Sequence, residues 1–150
     1  MRTLFRVPKN DDCYTPPWVF KALGLKFDLD VAGAVKSDHV PAEYRYTIED
    51  DSLSRQWFGR VWMNPPFSKI LPWVDKFIQH HNGVALLPTS TGVWMEKLWM
   101  LPSARWVILE PVNFILPNGR EQKGSLPNRC YLIALGDSNA IALRNFGLVR

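Results

Sequence analysis

The sequence predicts an α/β protein, a mostly parallel sheet with helices between its strands and an antiparallel C-terminal part. Three observations predict it. Short apolar runs alternate with stretches of helical periodicity over most of the chain. One run, G-V-A-L-L-P at 83–88, is apolar throughout, as a strand covered on both faces must be. Strand-like runs then crowd together late in the chain, which favours antiparallel pairing there.

The elements follow in order. Residues 1–14 read as an arm or edge segment. Y-T-P-P-W-V-F-K-A-L-G predicts a helix with Thr15 as its cap, prolines in its first turn and Gly24 as its stop. Val19, Phe20 and Leu23 share one face of it. K-F-D-L-D-V-A alternates apolar and acidic residues, as a short strand does. Residues 33–50 read as irregular and polar. G-R-V-W-M-N is a strand that must stop near Asn64, because proline cannot pair in a central strand.

S-K-I-L-P-W-V-D-K-F-I-Q-H-H is a helix with Ser68 as its cap. Ile70, Trp73, Val74, Phe77 and Ile78 form its buried face, and Pro72 is tolerated in its first turn. T-G-V-W-M-E-K-L-W-M is a second such helix, ended near Leu101-Pro102. R-W-V-I-L-E is a strand, and V-N-F-I-L, R-C-Y-L-I-A-L and A-I-A-L-R-N-F-G-L-V-R read as further β segments. The polar stretch 117–129 carries a hairpin signal at Asn118-Gly119.

At 150 residues the chain fits one domain, 1–150, and 47% hydrophobic residues suffice for an ordinary core. The net charge of +4 favours polyanionic partners without proving one. Two cysteines, Cys13 and Cys130, form no C-x-x-C pair, and adjacent His80 and His81 lack the spacing of a helical zinc site. No metal site is expected. The N-terminus carries no signal-like apolar segment and no run is long enough to span a membrane, so the expected location is the cytoplasm.

The stretch V-W-M-N-P-P-F-S at 61–68 carries the chemistry. It places a stiff loop at the C-terminal edge of a strand, where open α/β sheets bind ligands. Asn64 offers a carbonyl acceptor, Pro65 a backbone carbonyl with no N–H, and Phe67 a stacking face. Two acceptors beside an aromatic platform suit a planar ring with an exocyclic NH2. Accepting both its N–H bonds would leave electron density on the nitrogen and make it nucleophilic. Read blandly, the same residues are a proline-terminated strand with a core phenylalanine. Asp28 and Asp30 would share a strand face as paired carboxylates, but nothing else supports hydrolysis. Trp18 and Trp62 lie near the loop and could stack bases, although tryptophans more often fill core.

Asn-Pro-Pro-Phe at a strand end is similar to the catalytic motif of amino-methyltransferases that use S-adenosylmethionine. Together with Y-T-P-P-W-V-F-K-A-L, F-D-L-D-V-A, D-D-S-L-S-R-Q-W-F-G-R, W-V-D-K and G-V-A-L-L-P, it resembles the phage-type DNA adenine-N6 methyltransferases of the Dam group. The resemblance covers roughly residues 11–135. It implies a Rossmann-like methyltransferase fold and methyl transfer to the N6 amine of adenine in DNA, in a bacterial host of a phage or prophage.

The resemblance also implies roles. Asn64, Pro65, Pro66 and Phe67 would form the catalytic loop. Thr15, Pro16 and Pro17 would line the methionine end of the cofactor, and Asp30 would neighbour its methionine or ribose portion. Asp51, Ser52 and Leu53 would hold its adenine. No separate target-recognition domain fits, so sequence choice would fall to loops, with 117–129 the best candidate. There Arg120, Lys123 and Arg129 either meet the DNA backbone or sit on a solvated turn. The chain departs from the glycine-rich turn common after the first strand, having only Gly33 in D-V-A-G-A. Two alternatives stay open: an enzyme acting on RNA or a protein glutamine through the same loop, and an inactive nucleic-acid-binding module.

Overall fold

The computed structural model describes residues 14–36, 39–89, 92–109, 112, 114–121 and 129–150. Six strands form one sheet: β1 (Phe27–Asp30), β2 (Ala42–Arg45), β3 (Val61–Met63), β4 (Gly83–Pro88), β5 (Arg105–Ile108) and β6 (Cys130–Leu135). Their order across the sheet is β2-β1-β3-β4-β6-β5. The first four are parallel, and β6 runs antiparallel to both β4 and β5. The expected α/β class and antiparallel C-terminal part are both present.

After β1 the chain moves to one side to form β2, then returns to the other side for β3. Such a reversal opens a crevice at the carboxyl ends of the two central strands. Asp30 closes β1, and Asn64 follows the last residue of β3. With Leu29 opposite Val61 and Asp30 opposite Trp62, the parallel register brings both to the same sheet edge.

Side chains of the strands divide by the two-residue period. Trp62, Val84, Leu86, Leu132 and Ala134 pack on one face with helix α1 (Pro17–Leu23) and Leu143. Val61, Met63, Ala85, Leu87, Ile133 and Leu135 pack on the other. They meet α2 (Ile70–His80) through Ile70, Val74 and Phe77, and α3 (Val93–Trp99) through Leu98. Fully burying a side chain such as Phe77 contributes about 1.5–3 kcal/mol.

The local expectations fail in four places. α1 starts at Pro17 with Pro16 before it, and Thr15 caps nothing; its hydroxyl is engaged elsewhere. α2 starts at Ile70 after a 3-10 turn over Phe67–Lys69, and Ser68 makes no cap, because the chain leaves Pro66 through that tight turn. β2 lies inside the segment read as irregular: as an edge strand with mostly exposed side chains, it has no apolar signature. The closing segment, read as β, forms α4 (Asp137–Ala142) and a 3-10 turn over Leu143–Phe146 after Gly136 swings the chain out of β6 at φ 100°. Its last residue alone pairs in strand fashion, Arg150 exchanging both backbone bonds with Trp106. Within V-N-F-I-L, Ile115 makes isolated bridges to Tyr14 and Glu121.

Gly83 is where β4 closes on β3. A Cβ there would lie 2.3 Å from the Val61 carbonyl oxygen. Gly83→Ala is expected to destabilise the protein by roughly 1–3 kcal/mol, through forced displacement of β3. Urea denaturation of the two proteins measures this, and an unchanged midpoint would contradict the close approach.

Candidate active site

The loop after β3 is built by its own sequence. β3 is buried on both faces and ends where Pro65 and Pro66 remove two backbone donors. The strand's alternation turns Asn64 towards the α1 side of the sheet. There its Nδ2 donates to Thr15 Oγ1 at 3.2 Å. Its Oδ1 is buried with no hydrogen-bond partner among the described residues. A buried acceptor left unpaired costs about 1–3 kcal/mol, so it calls for an explanation.

Two other segments converge on this loop. Tyr14 and Ile115 exchange backbone bonds of 2.6 and 2.8 Å, fixing the residue before Thr15. Phe67 is half-buried and meets Phe114 edge to face at 6.4 Å. Pro65 is buried and Pro66 half-buried. Thr15 and Asn64 are thus in direct contact, and Phe67 meets Phe114, the neighbour of the Ile115 that pairs with Tyr14.

Asp30 sits at the next strand end. It is 4% exposed, and its Oδ1 accepts the Ala32 N–H at 3.3 Å. Burial pushes its carboxyl up from the ordinary value to about 7, against the Ala32 amide and the nearby Arg45 guanidinium, which lower it. Asp28 does not join it: that side chain is exposed and accepts the Arg60 N–H at 2.7 Å, so the paired-carboxylate arrangement is absent. Gly33 packs against this strand end. A Cβ on it would meet Arg45 Cβ at 3.0 Å and Asp30 Oδ2 at 3.2 Å. The lone glycine of D-V-A-G-A therefore keeps the space over Asp30 free of a side chain.

The 51–53 turn stands apart from Asn64. Asp51 is exposed and left-handed at φ 52°, a conformation Asp tolerates better than most residues. Ser52 is buried, and the Trp57 indole donates to its carbonyl and hydroxyl at 3.1 and 3.0 Å. Leu53 packs on the α2 side of the sheet. Lys76 of α2, missed in the sequence, donates to the carbonyls of Ser52, Leu53 and Arg55 and lies 5.3 Å from the Trp57 ring centroid. The one sequence cue for it was a cation one helical turn after Trp73, on the border of the buried face.

The tryptophans near the loop part company. Trp62 is core, whereas Trp18 is 42% exposed. Arg120 and Arg129 are exposed, and Lys123 lies outside the described residues. Arg120 belongs to the expected turn: Gly119 has φ 83°, and Leu116 and Arg120 pair through a 2.8 Å backbone bond. A groove of about 820 Å³ runs beside β5, lined by Met95, Trp99, Trp106, Tyr131 and Leu148 among others. It lies beyond β4 and β6 from the loop and contains none of the expected site residues. Among the described residues no group of three or more His, Cys, Asp or Glu could hold a metal ion. None of their helices is long and apolar enough to cross a membrane.

A family model described as DNA N-6-adenine-methyltransferase (Dam) matches residues 3–140. The chain belongs to the Dam family of DNA N-6-adenine-methyltransferases. This Dam-family chain is also similar to a DNA N-6-adenine-methyltransferase of Haemophilus phage HP1 (strain HP1c1). The two are 37% identical over 87 residues, a match covering 52% of this chain and 49% of the relative. The chain spans about half the length of the curated relative it matches. No solved structure matches it.

The buried carboxyl of Asp30 makes the Dam-family chain's stability depend on pH. Its folded pKa is raised, so the folded state holds a proton that the unfolded state releases. Stability should therefore fall as pH rises from about 4 to about 7 and level off above that. Asp30→Asn should remove this component, gaining on the native protein as pH rises. Denaturant melts of both at pH 5 and pH 8 decide it; a constant difference between them would refute the assignment.

Proposed function

We propose that this chain transfers a methyl group from S-adenosylmethionine to the exocyclic N6 amine of adenine in DNA, in the cytoplasm of a bacterial host. One observation carries the reading: the buried Oδ1 of Asn64 at the carboxyl end of β3, without a partner among the described residues. Family membership and the similarity to a phage DNA N-6-adenine-methyltransferase support it. The strand reversal around β1 is compatible with a Rossmann-like methyltransferase fold in one domain.

The residues fit the cofactor. S-adenosylmethionine, when bound, supplies a methyl group already activated on a sulfonium. It also carries donors: an ammonium, ribose hydroxyls and an adenine amine. Acceptors to match are the carboxyl of Asp30 at the end of β1 and the exposed side chain of Asp51 before the 52–54 turn, and a glycine stands at position 33 where a side chain would intrude. Pro16 borders this edge, and Ser52 and Leu53 give the 51–53 turn its shape through Lys76 and Trp57.

The catalytic work of the chain is placement. Asn64 Oδ1 and the Pro65 carbonyl accept the two N–H bonds of the target amine and direct its lone pair. Pro65 and Pro66 hold those acceptors rigidly before substrate arrives, so little reorganisation is needed. Phe67, half-buried, stacks on the base. Taking adenine out of the duplex costs a few kcal/mol, and stacking returns roughly 1–3 kcal/mol. The amine loses its proton only after it has become cationic, so no strong base is required. The Cys130 thiol, pushed to about 12 by burial, takes no part.

Nucleoside mass spectrometry of DNA incubated with isotopically labelled S-adenosylmethionine tests the reading. Labelled N6-methyladenine is expected with the native protein, reduced about 100-fold or more by Asn64→Ala. Label in RNA or protein alone, or none, would overturn it. Arg120, exposed on the turn tied to Ile115, is proposed with Lys123 and Arg129 to meet phosphates. Arg120→Ala should weaken DNA binding on every sequence and reduce the log–log salt slope by about 1. Fluorescence anisotropy at several salt concentrations reads both.

A further inference from the structure

We propose that Thr15 is a positioning residue for Asn64, not a cofactor contact: its hydroxyl anchors the amide and so fixes where Oδ1 stands before the target amine. The proposal rests on the reading of Asn64 as the acceptor. Three observations carry it. Thr15 is itself buried, at 1% exposure, and its hydroxyl oxygen accepts from Asn64 Nδ2 at 3.2 Å. Thr15 has little freedom to move. Tyr14 is paired to Ile115 on one side, and on the other Pro16 and Pro17 lead into α1, whose Val19 N–H binds the Pro16 carbonyl at 3.2 Å. The far end of the same amide is the unpartnered buried oxygen.

The chemistry follows from the two ends of an amide. They have nearly the same shape and opposite hydrogen-bonding character. If the NH2 end lost its partner, nothing in the observed contacts would keep Oδ1 turned inward. A turned amide would face the target amine with donors against donors. A hydroxyl at position 15 therefore anchors the near end of the amide and fixes where its far end stands. A cofactor contact at Thr15 would instead change how tightly S-adenosylmethionine binds.

Steady-state kinetics and calorimetry with S-adenosylmethionine separate these roles. Thr15→Val keeps the shape and removes the hydroxyl. It should lower kcat about tenfold, the worth of one hydrogen bond, with the cofactor Kd unchanged. Thr15→Ser, which restores the hydroxyl, should recover most of kcat. A weakened Kd at unchanged kcat would overturn the proposal and return Thr15 to the cofactor. Unchanged kcat and Kd would overturn it too, as would failure of Thr15→Ser to recover activity. If Thr15→Val does not fold, Thr15→Ala removes the same hydroxyl and is read in the same way. Asn64→Ala, run beside them, keeps the two ideas apart. If that variant retains turnover, the reading of Asn64 itself fails; if it is inactive while Thr15→Val is fully active, only the role of Thr15 fails.

Discussion

The parallel pairing of β3 between β1 and β4 is the constraint on which the rest depends. β3 is only three residues long, too short to hold its register alone. It is fixed by neighbours on both sides, Leu29 and Asp30 of β1 and the first three residues of β4. Gly83 lets β4 approach the Val61 carbonyl closely enough to complete that clamp. Because the side-chain period of a strand is two, a slip of one residue would send Asn64 to the opposite face, away from Thr15. The position of one amide is thus set by backbone hydrogen bonds of three strands.

Departures from ordinary protein chemistry gather at this sheet edge. Among the described residues, Asn64 keeps an acceptor without a donor, and Asp30 keeps a carboxyl buried. Each is a local cost that a sheet edge built only for stability would not carry. The opposite ends of the same strands show the other pattern. There Arg60 binds the Lys26 carbonyl, Ser138 and Asn139, and the buried Asn139 amide is fully engaged with Asn82 and Leu135. Arg60 and Asn139 there tie neighbouring elements together.

What could be read in the sequence was what burial writes into it. β4 was visible because both its faces are covered, and the buried stripe of α2 was visible as Ile70, Val74 and Phe77. β2 was not, because an edge strand with exposed side chains carries no apolar pattern. The C-terminal helix was missed because its few apolar residues are shared between α4 and a 3-10 turn, too short for a period to register. At the site, Pro-Pro after an apolar strand located the loop. Thr15 was singled out too, first as a helix cap. Its bond to Asn64 spans 49 positions, and nothing local signals such a partnership. Lys76 was hidden for a related reason: a lysine that binds three carbonyls looks, in sequence, like any solvated cation.

Ile115 exchanges backbone bonds with Tyr14, beside Thr15, and the N–H of the next residue, Leu116, donates to the Arg120 carbonyl across the turn. These two adjacent residues join the turn proposed to touch the DNA backbone to the segment that carries Thr15. Were that turn displaced, the displacement would reach the Thr15 segment through this shared stretch of backbone.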